Sequence, residues 1–189
     1  MSFMRRKTLA LLFLILFFVQ NLAVAQEEAR LTDIIVTNTQ DDLIVYLNVE
    51  GAFREKMKKA ILSGVPTRFS FFVSLYRVRT LWFDEKITDI MVTNTVKYDN
   101  LKEEFTIKRS WEKNGPRVSK SFDEAKKLIT EIDGLKIVPL EQLEKDRRYQ
   151  LRTKAELSKV TLPYYLHYVL FFVSLWDFET DWYTIDFTY

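Results

Sequence analysis

From Arg148 to Ser158 the chain alternates without a break. Tyr149, Leu151, Thr153, Ala155 and Leu157 stand on one side, with charged or amide side chains between them. A period of two is the signature of a strand that buries one face and leaves the other to solvent. A half-buried strand belongs to an antiparallel sheet covered on one side. Leu43, Val45, Leu47 and Val49 repeat the pattern, so 43–50 is another such strand. Leu31 to Asn38 is a strand of Ile, Val and Thr, separated from it by the turn signal Gln40-Asp41-Asp42. Phe69 to Val78 carries aromatics on both faces, which predicts a central strand. Ile87 to Val96 and Glu103 to Trp111 follow as a hairpin, the second with Phe105, Ile107 and Trp111 on one face, and Asp177 to Tyr189 closes the chain as a last strand.

Two segments switch to helical spacing. Phe53, Met57, Ala60 and Ile61 form one stripe, stopped by Ser63-Gly64 and Pro66. Ser121 and Glu124 fit a capping box, and Phe122, Ala125, Leu128, Ile129 and Ile132 form the stripe behind it, running to Gly134. Leu140 to Asp146 adds a third, short helical turn. The pattern predicts a β-rich α+β fold: antiparallel sheets or a sandwich with two to three short helices, as one domain over residues 26–189.

Residues 1–25 read as a signal peptide. Arg5, Arg6 and Lys7 form the charged start, Leu9 to Val19 the apolar run, and Ala23-Val24-Ala25 the small-x-small cleavage site. The expected location is the periplasm. Left uncleaved, Thr8 to Ala25 would serve as a tilted inner-membrane anchor. Without its three basic residues the chain holds 25 basic against 26 acidic side chains, so nothing remains of a nucleic-acid binder's electrostatic footprint. The absence of Cys removes disulfides, thiol catalysis and zinc–thiolate sites. His167, the single His, sits in an apolar run. Four scattered glycines build no phosphate loop. No cofactor is expected.

Two words recur. Thr32–Thr39 returns as Thr88–Thr95 with one difference, and Phe71–Leu75 returns unchanged as Phe171–Leu175, each copy followed at the same interval by a Trp, Trp82 or Trp182. Chance recurrence among β-formers explains this, and so does an internal ββαβ duplication. Duplication predicts that matched words occupy equivalent strands and that the two tryptophans plug corresponding ends of the core.

The candidate site residues are aromatic and acidic. Asp177, Glu179 and Asp181 would share one face of the last strand, with Trp176, Phe178 and Trp182 on the other. Trp82, Asp84 and Glu85 lie at a corner. Tyr164 and Tyr165 belong to Leu162–Trp176, an uncharged run that is either core or an exposed apolar surface. Arg77, Arg79, Lys108, Arg109, Arg152 and Lys154 are candidates for one basic patch.

Ala60-Ile61-Leu62-Ser63-Gly64-Val65-Pro66, Leu75-Tyr76-Arg77-Val78-Arg79 with Trp82-Phe83-Asp84-Glu85, Tyr98-Asp99-Asn100-Leu101, Leu162-Pro163, and Ser174-Leu175-Trp176 through Asp181-Trp182-Tyr183 occur in an order that resembles a proteobacterial family of exported proteins, domain of unknown function 4390. The family has no assigned activity and lends no site residues. The resemblance implies an envelope or signalling context. The leading expectation is a non-enzymatic module that binds an envelope protein partner or makes peripheral membrane contact. One alternative is a carrier of an apolar, lipid-like ligand in a cavity lined by Phe71, Phe72, Tyr164, Tyr165, Phe171 and Phe172. The other is a carbohydrate-active enzyme working through two of Asp84, Glu85, Asp177 and Glu179, which requires them to face each other across a groove.

Overall fold

A computed structural model describes residues 28–158 and 178–189. The described elements run β1 (Arg30–Asn38), β2 (Asp42–Glu50), α1 (Glu55–Leu62), β3 (Thr67–Arg77), β4 (Glu85–Asp99), β5 (Glu104–Arg109), β6 (Arg117–Ser119), α2 (Phe122–Thr130), β7 (Glu131–Pro139), a 3-10 turn at Leu140–Gln142, β8 (Arg148–Ser158) and β9 (Tyr183–Thr188). They form two antiparallel sheets: a three-stranded one ordered β1-β2-β7 and a six-stranded one ordered β6-β5-β4-β3-β8-β9. The α+β expectation of antiparallel sheets with short helices holds.

β3 is central, as its two aromatic faces require. On its inner face Phe69, Phe71, Val73 and Leu75 are fully buried. They lie opposite Asn94, Val92, Ile90 and Thr88 of β4, and opposite Leu157, Ala155, Thr153 and Leu151 of β8. The small sheet adds Leu43, Val45, Leu47 and Val49, and the helices add Met57, Ala60, Ile61, Ala125 and Ile129, to one continuous core. Phe53 stacks on Phe69 at 5.7 Å and meets Phe122 edge-on at 5.9 Å, joining the start of each helix to the large sheet. Ser121 caps α2 by accepting from the Glu124 N–H at 3.4 Å. Glu124 reaches back indirectly: it accepts from the Ser119 hydroxyl at 2.6 Å, which in turn accepts from the Ser121 N–H at 3.0 Å.

Three expectations are corrected. The second helix ends at Thr130, and Ile132 and Gly134 belong to β7, which the helical reading absorbed. Ile132 continues the apolar spacing by chance of register, since its buried neighbours are now cross-strand ones. Gly134 does not close a helix. It sits at φ +76° in a β-bulge where β7 slips against β2 between Val45 and Leu47. The last strand is also shorter than expected: β9 begins at Tyr183, and residues 178–180 pair with β8 only through an isolated bridge, Glu179 to Glu156. Leu140–Gln142 is a single 3-10 turn.

The echo words sit in unlike places. Thr32–Asn38 lies in β1, an edge of the small sheet, whereas Thr88–Thr95 lies in β4, an interior strand of the large one. Their in–out alternation agrees at Ile34 and Ile90 and at Ile35 and Met91, but parts at Asn38, which is exposed where Asn94 is buried. This is what a shared β-forming word gives without duplication. Neither tryptophan plugs the core: Trp82 is 76% and Trp182 51% exposed. The leader, Leu162–Trp176 and the Phe171–Leu175 word lie outside the described residues, as do His167, Tyr164, Tyr165, Trp176 and Asp177.

Candidate interaction surface

The outer face of the large sheet is set by the register that builds its inner face. Ser70, Phe72, Ser74 and Tyr76 of β3 point outward, beside Thr93, Met91, Asp89 and Lys86 of β4 and Glu156, Lys154, Arg152 and Gln150 of β8. Ser70 and Ser74 are buried between these longer neighbours. The result is a surface of rings and cations. The Arg152 guanidinium lies 4.3 Å from the Tyr76 ring centre, with Lys86 5.7 Å from the same ring. Lys154 lies 5.1 Å from the Phe72 ring and 5.2 Å from that of Trp182, and it pairs with Glu179. Met91, opposite Phe72, is 62% exposed.

Anions at this face are held by neighbours. Asp89 accepts from the Ser74 hydroxyl at 2.6 Å and from Lys86 at 3.0 Å. The Ser74 bond foremost, then the Lys86 bond, holds the Asp89 carboxyl below its usual range. Asp84 accepts from Arg152 at 3.3 Å and from the Arg79 backbone N–H at 3.4 Å. Glu85 pairs with Arg77 and Arg79, and Arg77 also with Glu144. The hydrogen bond from Arg77 leads in pulling the Glu85 carboxyl down.

Of the candidate residues, Asp84, Glu85, Glu179 and Trp182 thus meet along one face and its rim. The predicted separation of Glu179 from Trp182 is corrected. Both approach Lys154, because residues 181–182 fall between the bridge at Glu179 and β9, where strand alternation does not carry through. The residues on either side of Glu179 do follow it: Phe178 packs 5.5 Å from Phe69, and the buried Thr180 hydroxyl accepts from the Ala155 N–H at 3.0 Å. Asp181 stands apart, in a cleft of about 350 Å³ with Ala29, Leu31, Gly51 and Trp182. Trp82 stands at the β3–β4 tip.

The basic patch is broken. Arg109 is buried under α2, donating to the Leu128 and Glu131 carbonyls, while Lys108 is exposed on β5. The proposed apolar cavity also loses its lining. Phe71 is in the core and Phe72 on the outer face, since adjacent strand residues point oppositely. Among the described residues the carboxylates offered for glycoside chemistry meet arginine or lysine rather than each other. The sequence offers Phe72 only as cavity lining, and does not single out the outward Tyr76, with Met91, Lys86 and Asp89, as a site. Their signal is the even-numbered register of β3, opposite the core-facing odd positions.

These features define a two-sheet α+β domain with an open, aromatic and cation-rich sheet face, in which no described helix is long and apolar enough to cross a membrane. The chain belongs to the family described as Domain of unknown function (DUF4390), whose profile matches residues 26–186. No match is found among curated proteins or among solved structures.

Proposed function

We propose that the chain is an exported, non-enzymatic interaction module of the cell envelope, which seats a protein partner on the outer face of its six-stranded sheet. The observation that carries this reading is Lys154 held between Phe72 and Trp182, with Arg152 on Tyr76 beside it. Cations fixed against rings form a surface ordered before anything binds, so association loses less side-chain freedom. Aromatic side chains, Met and Arg are the residues that interfaces favour. Export is supported by the three-part leader and by a family match that starts at residue 26, one residue past Ala25.

The test is capture from crosslinked periplasm with the wild-type chain and with Met91→Glu and Trp182→Ala variants. Both substitutions alter exposed side chains, so folding is retained. The expected result is one dominant protein recovered by wild type and lost by both variants. Equal recovery by all three, or location of the chain in the cytoplasm, sinks the reading.

A further inference from the structure

The β3–β4 turn carries Leu81, Trp82 and Phe83 in succession, exposed to 94%, 76% and 87%. Neither ring makes a stacking or cation contact among the described residues. Three large apolar side chains at a turn are costly to leave in water and do nothing for the core. The geometry points to this tip as a wedge that enters the surface layer of a lipid bilayer, with the arginines behind it at the level of the phosphates. This inference rests on the envelope location proposed above, but not on a protein partner for the sheet face.

Three features single out a bilayer as the occupant. The first is the charge behind the tip. A cleft of about 340 Å³ is lined by Arg77, Val78, Arg79, Thr80, Glu144 and Arg147. Among the described residues these three arginines pair with two carboxylates, Glu85 and Glu144, which leaves one positive charge in surplus for a phosphate. Arg79 and Arg147 are exposed enough to exchange their carboxylate partners for one. The second is that Asp84 and Glu85, the acids next to the tip, are each tied to arginine, so neither repels an anionic surface. The third is distance. Arg79 and Arg77 precede Leu81 by two and four residues, at most roughly 7 and 14 Å of chain. Apolar side chains of interfacial segments reach roughly 5–10 Å into the headgroup boundary, where Trp also settles. A protein groove selects a few anchors held by their surroundings, whereas a fluid bilayer accepts these unsupported side chains in any rotamer.

The experiment uses the exported protein as cells deliver it, floated with vesicles of phosphatidylethanolamine and phosphatidylglycerol. The comparison is wild type, the triple variant Leu81→Ser/Trp82→Ser/Phe83→Ser, the single variant Trp82→Phe, and Leu101→Ser. Leu101 is 96% exposed at the β4–β5 turn and serves as a control for general surface apolarity. All forms share the same N-terminal state, so a difference between them reports the tip. The expected result is about a 100-fold loss of vesicle partition in the triple variant, and none in Leu101→Ser. Brominated acyl chains are expected to quench part of the wild-type Trp fluorescence, and that part disappears in Trp82→Phe, which still floats. Equal flotation of wild type and triple variant overturns the inference, as does Trp fluorescence that brominated lipid leaves unchanged. If wild type does not float but the triple variant loses a protein partner, the bilayer inference falls and the interaction-module reading stands.

Discussion

Arg109 donates through Nε to the Leu128 carbonyl at 2.8 Å, and through its second terminal nitrogen to the Glu131 carbonyl at 3.3 Å. These carbonyls lie where α2 passes straight into β7, and a helix end leaves such groups without partners. Asn94 adds bonds to the Ile129 and Glu131 carbonyls at 3.2 and 3.1 Å, and accepts from the Trp111 indole at 3.2 Å. Glu112, 2.7 Å from Arg109, balances the buried charge. Arg109→Met is therefore expected to lower stability by about 1–3 kcal/mol, since it takes the strongest donor from the Leu128 carbonyl, while Asn94 keeps the Glu131 carbonyl bonded and Arg117 keeps Glu112 paired. Arg109→Lys should recover only part of this, because it loses the fork. Urea unfolding of the three proteins checks the order.

Trp82 and Phe71 should respond oppositely to truncation. Phe71 is fully buried, and Phe71→Ala is expected to cost about 3–5 kcal/mol. Trp82→Ala should stay within about 0.5 kcal/mol, as surface substitutions do. A large loss from Trp82→Ala would mean that the tip is packed in solution.

Thr153 is buried between Val73 and Tyr183, and its hydroxyl has no hydrogen-bond partner among the described residues. Thr153→Val keeps the shape and removes the unpaired group. An increase of about 1 kcal/mol in unfolding free energy is expected, and thermal melts would show it directly.

Gly51 sits at φ +71°, and a Cβ there would stand 2.6 Å from the Glu28 carbonyl oxygen. Gly51→Ala must move backbone, not a side-chain end. A loss of at least about 1 kcal/mol is expected, with hydrogen exchange rising first at the start of β1.

Asp89 provides a pH test. Its carboxyl titrates below the ordinary 3.8 in the folded chain, chiefly through the Ser74 hydroxyl. The stability it contributes is present above that value and fades as pH falls through the lower folded one. Ser74→Ala should move the Asp89 titration in NMR upward toward 3.8, and Asp89→Asn should flatten the acid limb of the stability curve.

The alternation of Arg148–Ser158 and of Leu43–Val49 dictated their strands, and the spacing of Met57, Ala60 and Ile61 dictated α1, because side-chain period is a local property of the backbone. β7 stayed hidden since Ile132 also fits the spacing of the helix before it. What ended that helix is Arg109 and Asn94 reaching over from two other strands. The fate of the recurring word was equally non-local. Asn38 and Asn94 occupy the same place in it, yet one is exposed at a sheet edge and the other is fully buried among carbonyls. The sequence by itself determined the strand-forming words, the helix starts and which side of each strand is apolar. Only the tertiary structure decided which strands became neighbours, and so which rings met Arg152 and Lys154 on the outer face. Pairing joins residues far apart in the chain, and its free energy depends on both partners at once.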